Sequence, residues 1–232
     1  ESLADRYRIH QVPYRGESYV IDLSKELLDG GRNHTQQEWI ALTQSMEWKL
    51  ADLPLYHAAL SALYCQREHT DGAQKKLVQE LHGLFKADFD PAKPYMSTST
   101  RIKYAALGQD EVMHDYGYPS VRKLPIALVG PDGYINPSSG LEEQMDVLLG
   151  SRDCAEIEKV YEWISGKKPY LWRLNQAPAQ EEEHLCLAAI ARADRKEVCC
   201  TWRGSDTIIR YDARLASRRR PVLLQAVGRV GP

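Results

Sequence analysis

Lys86-Ala-Asp-Phe-Asp-Pro-Ala-Lys-Pro-Tyr-Met-Ser-Thr-Ser-Thr-Arg-Ile-Lys-Tyr-Ala-Ala106 is the stretch at which the chain changes character. Its first part, Asp88 to Pro94, holds two prolines and two aspartates and reads as a linker or domain edge. Its last part sets Ile102, Tyr104 and Ala106 against Arg101, Lys103 and Ala105, the alternation of a half-buried strand. Helical patterns lie upstream and strand patterns downstream.

Upstream, Tyr19 to Asp22 is a short strand candidate and Ser24 to Leu28 a brief helix stopped by Gly30 and Gly31. Thr35 and Glu38 have the spacing of a capping box, and Trp39, Leu42, Thr43, Met46, Leu50 and Leu53 follow at helical steps. Pro54 suits the first turn of a second helix with a stripe of Leu55, Tyr56, Ala59, Leu60, Leu63 and Tyr64. Gln74 to Lys86 places Leu77, Val78, Leu81, Leu84 and Phe85 on one side of a third.

Downstream, Leu124 to Val129 is an apolar run closed by Gly130-Pro131-Asp132-Gly133, which predicts a hairpin with Tyr134 and Ile135 returning. Leu141 to Leu149 and Asp153 to Ile164 read as helices, the second with a capping pair, Asp153 and Glu156, and an end at Gly166. From Pro169 onward, Tyr170–Leu174, Leu185–Arg192, Val198–Arg203, Thr207–Ala213 and Val222–Val227 read as strands of an antiparallel meander. The fold class expected is therefore α+β: an N-terminal helical layer followed by a mainly antiparallel sheet with two interrupting helices. The matching division is a mostly helical region over 1–90 and an α+β region over 91–232, with a single combined domain as an equal alternative.

Length and composition bound this picture. The 232 residues, 43% hydrophobic and 27% charged, match a water-soluble chain that buries its own core, and no apolar run approaches the ~18 residues of a bilayer span. Five scattered cysteines, with no C-x-x-C pair, read as free thiols in a reducing compartment, which predicts a cytoplasmic protein. The chain starts at Glu1 rather than Met, which leaves room for a removed targeting segment, although nothing in the remaining N-terminus resembles one.

The formal charge of −2 hides an asymmetry. Between Arg203 and Arg229 seven arginines and two aspartates give a net +5, and the rest of the chain carries −7. Arg210, Arg214, Arg218, Arg219 and Arg220, with Trp202 and Tyr211 beside them, supply planar guanidinium forks and stacking rings, and form the candidate partner-binding set. The same charges also suit pairing with the acids of the N-terminal body. A pI near 6.4 disfavours a dedicated nucleic-acid binder, so an unknown protein or acidic partner is preferred to nucleic acid, and no membrane is expected.

The densest polar neighbourhood is Ser97 to Thr100 with Asp110, Glu111, His114 and Asp115. His114, oriented by Asp115 and facing the hydroxyls of Ser97 and Ser99, is the candidate catalytic set for general-base chemistry. No nucleophile elbow surrounds these serines, and the bland alternative is a turn whose hydroxyls satisfy backbone groups. Glu111/His114 and Glu181/His184 have Glu-x-x-His spacing but lack the long adjacent helices a di-iron site needs, and nucleotide-binding loops are absent, so no metal and no cofactor is expected. The first functional reading is a non-enzymatic binding or interaction module using a Trp/Tyr/Arg-bearing C-terminal sheet surface. The second is a hydrolase or transferase around His114 and Asp115, and the third is nucleic-acid association through the arginine segment.

Overall fold

The computed structural model of the protein describes residues 6–25, 29, 34, 36–46, 48–68, 71–88, 98–103, 110–128, 130–131, 133–166, 168–171, 186–187, 190–192, 201–202 and 224–229. The chain opens with strands: β1 (Arg6–Tyr14) and β2 (Glu17–Ser24) form an antiparallel hairpin with Tyr14 opposite Glu17. The expected N-terminal helical layer is corrected by this finding, although the mixture of helix and strand stands. Ser24, expected to start a helix, closes β2. The connection is the pair Arg15-Gly16, with φ of 51° and 79°, the two positive values of a type I′ turn whose twist suits a two-residue hairpin.

Three helices follow: α1 (Gln36–Ser45), α2 (Leu53–Gln66) and α3 (Gly72–Asp88). Thr35 of the expected capping box lies outside the described residues. Helix α2 begins at Asp52, whose carboxylate accepts from the Leu55 amide at 2.9 Å, so an aspartate does here what a cap does for the orphaned amides of a first turn. This helix is buried on nearly every face, because Ala58, Ala59 and Ala62 let neighbours approach from the sides that Leu60 and Leu63 do not fill. It packs against β1, α3 and two later helices.

A second antiparallel sheet contains β3 (Arg101–Lys103), β4 (Asp110–His114) and β5 (Arg122–Ile126) in that order. Strand β5 thus pairs with β4 rather than with the residues after Gly133. The returning segment, β6 (Gly133–Tyr134), pairs with β7 (Pro169–Leu171), so the hairpin predicted over Leu124–Ile135 does not form. Between them stand α4 (Glu142–Leu149) and α5 (Cys154–Ser165), close to their expected bounds. Asp153 accepts from the Ala155 and Glu156 amides, and Gly150 and Gly166 end the helices in the left-handed conformation.

Strands β8 (Cys186–Leu187) and β10 (Thr201–Trp202) pair with each other, β9 (Ile190–Arg192) joins β7, and β11 (Leu224–Arg229) runs antiparallel to β2. Every strand pairing among the described residues is antiparallel, as expected, but β11 returns to the N-terminal hairpin instead of continuing a meander. One buried apolar cluster draws on β1, β2, α2 to α5, β3 to β5 and β7, from Ile9 to Leu171. Each fully buried Leu or Ile in it contributes about 1.5–3 kcal/mol. A smaller cluster of Trp39, Ile40, Trp48 and Leu50 packs with Tyr116 and Tyr118. Among the described residues no helix is long and apolar enough to cross a membrane.

Candidate functional site

The type I′ turn aims Arg15 inward, toward two carboxylates with no solvent exposure. Its Nη2 lies 3.0 Å from Asp52 Oδ2 and 3.1 Å from Asp115 Oδ2, and Lys49 Nζ approaches Asp115 Oδ1 to 2.7 Å. Tyr14 donates its hydroxyl to Asp52 Oδ2 at 2.8 Å. Burial, with the charges of Asp52 and Asp115 adding to it, pushes the Tyr14 hydroxyl far above its ordinary range, so it stays a donor. Asp115 itself has φ of 55° and opens the β4–β5 connection, in which Tyr118 donates its amide to the Asp115 carbonyl. Two cations thus balance two buried anions and bind the hairpin turn to the start of α2 and the end of β4.

His114, the expected general base, sits at the end of β4 and is 2% exposed. Its Nε2 lies 2.7 Å from the Val147 carbonyl, which can only accept, so Nε2 carries the proton. Its Nδ1 lies 2.9 Å from Thr100 Oγ1; with the proton of the neutral ring on Nε2, Nδ1 accepts, so the Thr100 hydroxyl donates to it while its oxygen accepts from the Leu53 amide at 2.9 Å. Burial pushes the His114 pKa down, partly offset by Asp52 and the Val147 carbonyl. Both nitrogens are committed to fixed partners, and the imidazole ties β4 to α4 and to the segment before β3.

The other expected site residues separate. Asp115 adjoins His114 in sequence but holds Arg15 and Lys49. Ser99 is fully buried, its Oγ has no hydrogen-bond partner, and its backbone donates to Ala51 and accepts from Tyr116. Ser97 lies outside the described residues, as do Arg210, Tyr211, Arg214, Arg218, Arg219 and Arg220; Trp202 belongs to β10. The hydroxyl that reaches His114 is Thr100.

His114 and Arg15 also line a concavity, together with residues the sequence reading did not single out. Between the β1–β2 turn, α2, the C-terminal end of α4 and the start of α5 lies a cavity of about 730 Å³ that opens to solvent. Helix α2 contributes His57, Ala58 and Ser61, α5 contributes Glu156, and the turn contributes Arg15 and Glu17. His57 and Ser61 are four residues apart and so share a helix face. The Ser61 hydroxyl donates to the Glu156 carboxylate.

His57 is the least ordinary group of this wall. It is 3% exposed, stacks on Tyr161 with ring centroids 5.7 Å apart and planes within 7°, and its Nδ1 makes no hydrogen bond. Burial lowers its pKa to about 4, so it is neutral at pH 7. Native proteins satisfy the large majority of their buried polar atoms, so His57, whose Nδ1 is sealed from solvent and unpartnered, is an exception among the residues that line the cavity. No group of three or more His, Cys, Asp or Glu suited to a metal occurs among the described residues.

No protein family, curated protein or solved structure matches this chain. Its functional reading rests on its own geometry.

Sequence inspection missed Arg15, Lys49, Asp52, His57, Ser61 and Glu156. The Arg15-Gly16 pair between extended segments and the four-residue spacing of His57 and Ser61 were the available signals.

Proposed function

We propose that this protein is a non-enzymatic binding module whose receptacle is the cavity between the β1–β2 turn, α2, α4 and α5. The observation that carries the reading is the cavity itself, about 730 Å³ in volume, with the buried imidazole of His57 among its lining residues. That volume falls in the range of roughly 300–1,000 Å³ common to small-molecule sites, which are mostly apolar with a few placed polar groups. Pro54, Ala58 and Leu149 supply apolar wall, and His57, Ser61 and Glu156 supply the polar points. The surroundings favour binding over catalysis: Ser61 gives its proton to Glu156, and His114 has no nitrogen left for a substrate.

This reading moves the contact from the arginine-bearing C-terminal segment to the cavity. It is tested by recording the imidazole resonances of the full chain while adding a fragment set of cationic, anionic and neutral small molecules, with His57 assigned from a His57→Phe variant. Saturable shifts at His57 that vanish in Ala58→Trp, where the indole blocks the cavity, support it. If no fragment moves His57, the cavity is not a binding site.

A further inference from the structure

We infer that the cavity takes a small organic cation bearing N–H donors, an alkylamine, with its ammonium against Glu156; this rests on the cavity being the binding site, and deepens it. Three carboxylates line the cavity, Glu17, Asp146 and Glu156, against two guanidiniums, Arg15 and Arg122. Arg15 is already engaged by Asp52 and Asp115 at 3.0 and 3.1 Å. Arg122, on β5, is exposed to solvent. An entering anion thus meets one solvated guanidinium, whereas a cation meets the acids.

Glu156, in the first turn of α5, is half-buried, whereas Glu17 and Asp146 are exposed. The Glu156 carboxylate accepts from Ser61, and among the described residues no cationic side chain pairs with it. Asp146 has only a loose contact, 3.8 Å, with Arg152. Because Ser61 spends its hydrogen on Glu156, this pair offers lone pairs and no free donor. The missing partners are N–H groups and a positive charge, which an ammonium supplies together. His57 is neutral at pH 7 and adds no repulsion, and the apolar surface of Ala58 and Leu149 suits an alkyl chain.

The test uses three probes of equal length on the full chain at low salt and pH 7.5: 1,4-diaminobutane, 1,4-butanediol and succinate. Calorimetry gives the affinity, and the His57 imidazole resonance reports whether binding is in the cavity. Diaminobutane is expected to bind at least tenfold more tightly than butanediol, with succinate absent from the cavity, because hydrogen bonds to charged groups are the stronger class. Glu156→Gln, which keeps an acceptor for Ser61, should cost at least tenfold for the diamine and leave the diol unchanged. Equal or tighter binding of diol or succinate at His57 overturns the cation assignment while leaving the binding site standing, as does a folded Glu156→Gln that keeps its diamine affinity. Should Glu156→Gln fail to fold, the ranking of the three probes on the unaltered chain decides alone. If none of the three, and none of the wider fragment set, reaches His57, both the assignment and the site fail.

Discussion

Replacing Arg15 by Met removes the guanidinium that two buried aspartates share while keeping most of the side chain's length. Asp52 and Asp115 are both 0% exposed and Arg15 is 28% exposed. Removing one member of a buried pair costs about 3–5 kcal/mol, because the remaining charge is left desolvated and uncompensated. Two circumstances reduce this: Arg15 keeps some contact with water, and Asp52 retains Tyr14 and the Leu55 amide while Asp115 retains Lys49. The expected loss is therefore about 2–4 kcal/mol. At roughly 2–4 °C per kcal/mol for a chain of this size, the melting temperature should fall by about 4–16 °C. Urea unfolding at pH 7 measures it directly. A second arm isolates the cause: Asp115→Asn tolerates the positive φ of 55° and removes one orphaned charge, so in the Arg15→Met background it should restore about 1 kcal/mol or more. A loss below about 0.5 kcal/mol for Arg15→Met, or simple addition of the two losses, would show that the cluster does not hold the turn in place.

Other outcomes follow from the same coordinates. His57 has its pKa lowered from 6.5 to about 4, so between those values the unfolded chain binds a proton that the folded chain refuses, and stability falls as pH drops through that window. The full difference is about 3 kcal/mol, and His57→Phe should lose this part of the pH dependence in parallel urea titrations; identical pH profiles would refute it. Gly150→Ala forces a left-handed φ of 73° on a side chain whose Cβ would lie 3.3 Å from Pro54, and should cost about 1–2 kcal/mol in the same assay. His114→Leu should lower stability by about 2–3 kcal/mol in urea unfolding, by orphaning the Val147 carbonyl and the Thr100 hydroxyl; a loss below about 0.5 kcal/mol would contradict their pairing with the imidazole.

The helices were legible where local chemistry marks them. Asp153 before α5, Gly150 and Gly166 after α4 and α5, and the apolar stripes of α2 and α3 are signals that act within one or two turns. Strand β1 was hidden because its bulge between Ile9 and Val12, with Gln11 at φ 55°, puts two fully buried residues three positions apart and breaks the alternation a strand reading needs. Strand β4 was hidden for a different reason: Asp110 and His114 are buried and hydrogen-bonded, whereas in the sequence they belong to the densest polar neighbourhood. The turn at Gly130 to Gly133 suggested a local hairpin, but β6 pairs with β7 across α4 and α5, a choice made by packing that no turn residue encodes. The same holds for the cavity. Arg15 and Asp52 meet over a separation of 37 residues, and Ser61 and Glu156 over 95, so their chemistry exists only after α2 has settled between β1 and α5.

The cavity's role is tested most directly by calorimetry of 1,4-diaminobutane against the full chain and its Ala58→Trp variant, with urea unfolding run on both. Saturable binding to the unaltered chain, lost in a variant that still unfolds cooperatively, is the expected result. Equal binding to both proteins would place the ligand elsewhere and leave His57 a buried side chain with no part in recognition.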